Sequence, residues 1–258
     1  MRQLQALIFD VDGTLADTER DGHRLAFNQA FAEAGLDWNW SVERYGELLA
    51  VTGGKERIRF FWDSDLPNFA PELAAGLSEQ DWIAGLHKSK TRYYTQMMQE
   101  GKIGLRPGVK RLLAEAREAG LRLAIATTTT PANVTALLEA ALGPDSPSWF
   151  EVIAAGDIVP AKKPAPDIYT YTLKALQLRP ADCLAFEDSE AGLQSAHQAG
   201  LTTVVTVNDY TRHQSFGDAA LVLNHLGEPD LPFEVLQGRA NSSYFTVPLA
   251  KTLLAENS

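Results

Sequence analysis

The stretch Ala6-Leu7-Ile8-Phe9-Asp10-Val11-Asp12-Gly13-Thr14 decides the fold. Four consecutive apolar residues end abruptly on an acidic, glycine-containing turn, the pattern of a short strand buried on both faces. Residues i and i+2 at a strand's carboxyl end point the same way, so Asp10 and Asp12 face one crevice. Such crevices are where open α/β sheets bind ligands. Two like charges that close repel, and the pair needs a cation or a shared proton. A loop with two solvated aspartates is the plainer alternative for this spacing.

Working outward, residues 121–126, 183–186, 202–205 and 219–223 are further short apolar runs. Between them lie helical patterns at 107–119, 131–142 and 189–199, stopped by Gly120, Gly143 and Gly200. Strands interleaved with capped helices predict the α/β class: a doubly wound, parallel, Rossmann-like sheet covered on both faces. One interval breaks the rhythm. Between Phe9 and Leu121 the patterns are helical (19–34, 42–50, 55–62 and 79–99), and four of the five tryptophans fall there. Residues 18–102 therefore read as an inserted all-helical domain, with 1–17 and 103–258 forming the core. The tail after about Leu226, rich in Gly, Pro and Asn, is expected simply to wrap the core.

Composition narrows the function. The 258 residues are 45% hydrophobic, enough to bury a sizeable core. A net charge of −10 argues against broad nucleic-acid or anionic-membrane binding, while leaving room for a small basic pocket. The single cysteine, Cys183, excludes an internal disulfide framework or a thiolate metal cluster. No run approaches the roughly 18 apolar residues of a membrane span. The run from Leu4 to Phe9 is too short and too closely followed by acids for a signal peptide. A cytoplasmic monomer with neither nucleic acid nor membrane as partner is expected.

Three further motifs sit where strand gives way to loop. Thr127-Thr128-Thr129-Thr130 offers hydroxyls and N–H groups before a helix, hence an anion site or simply an N-cap before Pro131. In Lys162-Lys163-Pro164-Ala165-Pro166 the prolines stiffen the segment and aim a lysine, which otherwise is an ordinary surface lysine. Glu187-Asp188-Ser189 supplies either hard-metal ligands or a helix cap.

The set and order Asp-x-Asp, Thr, Lys, Asp resembles the haloacid dehalogenase superfamily of phosphatases, over the whole core, and the insertion resembles its helical cap. That resemblance implies Asp10 as nucleophile, forming an aspartyl-phosphate, and Asp12 as acid and then base. It implies Mg²⁺ held by Asp10, the backbone carbonyl of Asp12, and Asp188, with Glu187 adding a ligand or orienting a metal-bound water. Thr127, the N–H of Thr128, and Lys163 would hold the transferring phosphoryl group.

Specificity is expected in the helical insertion, because the core motifs touch only phosphate. Two basic clusters in an acidic chain, Gly53-Gly54-Lys55-Glu56-Arg57 and His87-Lys88 with Lys90, suggest a second anion and so a bisphosphate substrate. Ordinary solvated charge is the alternative. Segments such as Asp17-Thr18-Glu19, His23 to Asn28, Tyr45-Gly46-Glu47-Leu48-Leu49, Gly53 to Arg57, Gly85 to Thr91 and Tyr210-Thr211-Arg212 are similar to the xylulose bisphosphate phosphatases of the Calvin-cycle operon and of chloroplasts. This implies hydrolysis of xylulose-1,5-bisphosphate, an inhibitory by-product of Rubisco, to xylulose-5-phosphate. Glu19, His23, Tyr45, Gly54, Lys55, Arg57 and Lys90 become the expected substrate contacts. Thr127 to Thr130 departs from the Cys-Ser-Thr-Ser-like run of the plant relatives. A phosphoglycolate or hexose-phosphate phosphatase, and a transferase like β-phosphoglucomutase, stay open.

Overall fold

The computed structural model describes residues 3–51, 53–67, 69 and 78–256. Two compact units divide it: residues 1–17 with 103–258, and residues 18–102.

In the first unit, β1 (Ala6–Phe9) is the fully buried strand expected. It pairs in parallel with β2 (Arg122–Ala126) on one side and β4 (Cys183–Glu187) on the other, Phe9 lying opposite both Ile125 and Phe186. That register sets Asp10 level with the carboxyl ends of both neighbours, and the Asp10 N–H donates to the Phe186 carbonyl at 3.0 Å. The sheet has seven strands in the order β3-β2-β1-β4-β5-β6-β7, where β3 is Phe150–Ala154, β5 Thr202–Thr206, β6 Leu221–Leu223 and β7 Val235–Gln237. All pairings are parallel except β6 with β7. The strand order reverses at β1, the switch point where such sheets bind ligands.

Two elements go beyond the sequence reading. Strand β3 sits at the sheet edge with Glu151 exposed, so its apolar signal is diluted. A helix at Asp167–Leu176 is rich in Thr and Tyr, poor helix formers, and is held by burying Ile168, Tyr169, Thr172, Leu173 and Leu176. The tail needs correction. It does not merely wrap the core: it adds β7 and a helix at Val247–Glu256, and Phe245 packs edge-on against Phe186 at 5.2 Å. Apolar anchors spaced through a Gly/Pro/Asn-rich stretch were too sparse to show this.

Arg106 gathers the loops at the carboxyl edge. Its buried guanidinium donates to the carbonyls of Thr206 (2.8 Å), Val207 (2.6 Å) and Asn224 (2.8 Å), and also to that of Gly13. One side chain thus ties together the loops that follow β1, β5 and β6.

The second unit is all-helical among its described residues. A six-residue π-helical turn (Thr18–His23) runs into α1 (Arg24–Glu33), followed by α2 (Val42–Leu48), α3 (Gly54–Asp65) and α4 (Glu79–Gln99). Ser41 and Ser78 cap α2 and α4 through their side chains. The tryptophans pack as one aromatic core: Trp40 lies 4.7 Å from Phe27 and 4.9 Å from Phe31, and Trp82 5.9 Å from Trp38. With α5 at Val109–Glu118, α6 at Pro131–Leu142, α7 at Asp167–Leu176, α8 at Glu190–Gln198 and α9 at Val247–Glu256, the helices of the first unit complete the layers.

Candidate active site

The four motifs converge at the carboxyl edge of the first unit. Asp10, Asp12, Thr128, Lys163, Glu187 and Asp188 line one cavity of about 370 Å³. Asp10 leaves β1, and Glu187 and Asp188 leave β4, so neighbouring strands deliver the three acids to one place. Carboxylate oxygens of Asp10, Glu187 and Asp188 all lie within 4.8 Å of one another. Lys163 enters from the loop between β3 and α7. Its ammonium donates to Asp10 Oδ1 and to Glu187 Oε1, both at 2.6 Å.

The four threonines divide their work. Thr127 is buried at the end of β2, its N–H donating to the Ala154 carbonyl at 2.9 Å, and its hydroxyl accepts from the Thr129 N–H at 3.3 Å. Thr128 is exposed, and Thr130 is the side-chain cap of α6, with Pro131 at the first turn. The N-cap reading describes Thr130.

Two residues missed in the sequence hold the acids in place. Asn208 Nδ2 donates to Asp188 Oδ2 at 2.7 Å, and the fully buried Tyr169 donates its phenol to Glu187 Oε1. Asn208 follows a predicted strand at the same edge, a signal that was there to use. Tyr169 sits among apolar residues on α7 and carries no such mark.

The electrostatics call for a cation. Burial pushes the Glu187 carboxyl up to about 7, with Asp10 adding to the shift and Lys163 opposing it. Burial, then the charges of Asp10 and Glu187, hold Asp188 well above the usual carboxylate range, against the Asn208 hydrogen bond. Burial pulls the Lys163 ammonium down, but the two carboxylates beside it win and its pKa rises. One lysine does not balance three buried acids. The other oxygen of Glu187, Oε2, is buried with no hydrogen-bond partner among the described residues. Oxygen donors, clustered and under-compensated, fit a hard divalent ion such as Mg²⁺. Gly192 leaves the space for that carboxylate: a Cβ there would lie 1.9 Å from Glu187 Oε2.

The second unit gathers its own polar groups. Tyr45 donates to Glu19 Oε2 at 2.6 Å and accepts from Arg57 Nη1 at 3.0 Å. Lys90 reaches His23 Nδ1 at 2.8 Å and lies 5.1 Å from the Phe27 ring centre. The His23 ring stacks on Tyr94 at 3.9 Å, and burial lowers its pKa to about 4, so the imidazole is neutral and accepts from Lys90. Lys55 is exposed on the first turn of α3, and Gly54 lies against His87, where a Cβ would come 2.5 Å from Nε2. Arg57, an expected substrate contact, directs its guanidinium to groups of its own unit. It is buried, and it also donates to the carbonyls of Leu48 (3.0 Å) and Val51 (3.3 Å), stitching α2 to α3. A guanidinium can satisfy three acceptors at once, and packing turned it inward.

Comparison with known proteins agrees with this geometry. The model of haloacid dehalogenase-like hydrolases matches residues 4–200. CbbY of Cupriavidus necator is 52% identical over 229 residues, 89% of this chain and 88% of that protein. A CBBY-like protein of Arabidopsis thaliana is 40% identical, over 87% of this chain and 70% of that protein. The crystal structure of CbbY from Rhodobacter sphaeroides in complex with phosphate superimposes with a TM-score of 0.69 at 47% identity, covering 86% of this chain and 95% of that one. The chain belongs to the haloacid dehalogenase-like hydrolases and is a CbbY-like phosphatase.

Proposed function

We propose that this phosphatase is Mg²⁺-dependent and hydrolyses xylulose-1,5-bisphosphate at its one-position phosphate, giving xylulose-5-phosphate and relieving Rubisco of an inhibitor. The observation that carries the chemistry is the placing of Asp10, Glu187 and Asp188 with carboxylate oxygens within 4.8 Å of one another, and of Lys163 at 2.6 Å from Asp10 and Glu187, at the sheet's switch point. The sugar is suggested by a CbbY variant of Rhodobacter sphaeroides, 47% identical, whose crystal structure is a complex with xylulose-1,5-bisphosphate.

In this reading an Asp10 oxygen attacks phosphorus, the O–P bond forms, and the bond from phosphorus to the sugar oxygen breaks. Asp12 gives its proton to the departing alkoxide. It then takes a proton from the water that attacks the aspartyl-phosphate, releasing phosphate and restoring Asp10. Lys163, the Thr127 hydroxyl and the Thr128 N–H hold the phosphoryl oxygens as charge shifts among them. Asp10, the Asp12 carbonyl, Asp188 and Glu187 are the groups that would hold Mg²⁺, which when bound neutralises charge on the phosphoryl group. Residues 18–102 form the cap unit, and Glu19, His23, Tyr45, Gly54, Lys55 and Lys90 select the ester, with Arg57 shaping their frame from inside.

The test is phosphate release with and without Mg²⁺ from xylulose-1,5-bisphosphate, sugar monophosphates and phosphoglycolate. A kcat/KM highest by tenfold or more for the bisphosphate is expected. Faster turnover of phosphoglycolate, or phosphoryl transfer to sugar in place of release, would remove this assignment.

A further inference from the structure

Tyr169 meets one member of the acid cluster, Glu187, and the lysine paired with it, Lys163, by different parts of one side chain. Its hydroxyl donates to Glu187 Oε1, the oxygen that Lys163 also reaches at 2.6 Å. Its ring lies under the Lys163 ammonium, with Nζ 5.3 Å from the ring centre. The residue is wholly buried in the cluster formed by Ile168, Leu173, Ala185 and their neighbours, so neither contact is a matter of chance exposure. A buried phenol needs an acceptor, and Glu187 is the one present. With Oε1 engaged twice, the carboxylate is fixed in rotation, and Oε2 is left over with no partner among the described residues.

We propose that Tyr169 is a positioning residue with two separable jobs: its hydroxyl orients Glu187 for the metal, and its ring supports Lys163 for the phosphoryl group. The inference rests on the metal and phosphate roles proposed above for Glu187 and Lys163. Outer partners of a ligating carboxylate commonly matter this much, costing about 10- to 100-fold in metal affinity when removed. A cation held over an aromatic face gains a smaller amount.

The two jobs come apart by mutation. Tyr169→Phe keeps the ring and removes the hydroxyl; Tyr169→Leu removes both. Mn²⁺ binding, read by its free-ion paramagnetic resonance signal, reports the first job. The inhibition constant of inorganic phosphate reports the second, and thermal melting reports the fold. Tyr169→Phe should bind Mn²⁺ about tenfold more weakly, with phosphate inhibition and melting temperature unchanged. Tyr169→Leu should lose the same Mn²⁺ affinity and in addition bind phosphate about threefold more weakly. Wild-type Mn²⁺ affinity in Tyr169→Phe would overturn the proposal while leaving the metal reading intact. A parallel loss of Mn²⁺ affinity, phosphate inhibition and melting temperature in Tyr169→Phe would also overturn it, since a core tyrosine would explain all three. Wild-type protein that takes up no Mn²⁺ would remove the metal reading itself, and this proposal with it.

Discussion

Two lysines with largely covered side chains, one in each unit, are handled in opposite ways. Lys163 lies between two carboxylate oxygens at 2.6 Å and is held charged by them against the pull of burial. Lys90 lies against a neutral imidazole at 2.8 Å and two aromatic faces, those of Phe27 and Tyr94. The first lysine serves a site crowded with negative charge, which wants a cation and a phosphoryl group together. The second sits beside rings and a neutral histidine, a setting suited to an anion. In the proposed function the strand ends of the sheet supply acids for chemistry, and the helices supply cations for selection.

The largest effect expected is in the sheet unit. Asp10→Asn should reduce kcat by about 10⁴ or more, because an amide is no nucleophile. The same change removes one of three like charges and also a partner of Lys163. A melting temperature that holds or rises would show that repulsion among the acids outweighs the Lys163 pairing. A clear fall would reverse the ranking, and residual activity within about tenfold of wild type would take Asp10 out of the attacking role.

In the helical unit the corresponding probe is acid. The folded His23 pKa is about 4 and the ordinary value is 6.5, so the fold binds that proton less well than the unfolded chain does. The stability this represents is fully present above pH 6.5 and is lost as pH falls toward 4, in total about 3 kcal/mol. Urea unfolding of wild type and His23→Gln at pH 7 and pH 4.5 measures it. Wild type should lose about 2–3 kcal/mol more than the variant on going to the lower pH. Equal losses would mean that His23 does not govern acid sensitivity. The acid cluster, whose Glu187 and Asp188 carboxyls are raised in the fold, gains stability as pH falls and does not supply the loss.

The contrast between the units also explains what the sequence could show. Asp10 and Asp12, Glu187 and Asp188, and Thr127 were readable because a strand end has fixed directions and only a few residues at the crevice. Strands β1, β2, β4, β5 and β6 announced themselves as short apolar runs for the same reason. On helices the spacing gives a face but not its neighbours. Nothing in Gly53-Gly54-Lys55-Glu56-Arg57 says that Lys55 stays in water while Arg57, two residues on, turns under α2. Tyr169 and Arg106 were illegible for a related cause: each acts through atoms that only the folded chain brings near, a carboxylate 18 residues away and carbonyls about 100 residues away.

Lys55 and Arg57 sharpen that point. Lys55→Ala removes an exposed cation, so stability should hold while KM for xylulose-1,5-bisphosphate rises by about 1–2 kcal/mol, roughly five- to thirtyfold. A small monophosphate ester, lacking the second anion, should be hydrolysed as before. Arg57→Met should instead lower the melting temperature, since it strands the carbonyls of Leu48 and Val51. If Lys55→Ala slows both substrates equally, the helical unit's cations do not read a second phosphate, and the contrast between units loses its functional half.

The smallest effect expected separates two adjacent threonines. In the proposed mechanism Thr127 contributes its hydroxyl and Thr128 only its backbone N–H. Thr127 is buried at the strand end, its main chain pinned to Ala154, so its hydroxyl is held where the strand aims it. Thr128 is exposed, and an alanine there keeps the N–H in place. Thr127→Ala should therefore cost about 1–2 kcal/mol in kcat/KM, the worth of a hydrogen bond to a charged group. Thr128→Ala should stay within about 0.5 kcal/mol of wild type, as surface changes usually do. A loss at Thr128 as large as that at Thr127 would mean that the Thr128 side chain itself meets the phosphoryl group. The anion site would then be built from hydroxyls on a loop, and the rule that strand geometry alone selects the working residues would fail at the very edge where it is strongest.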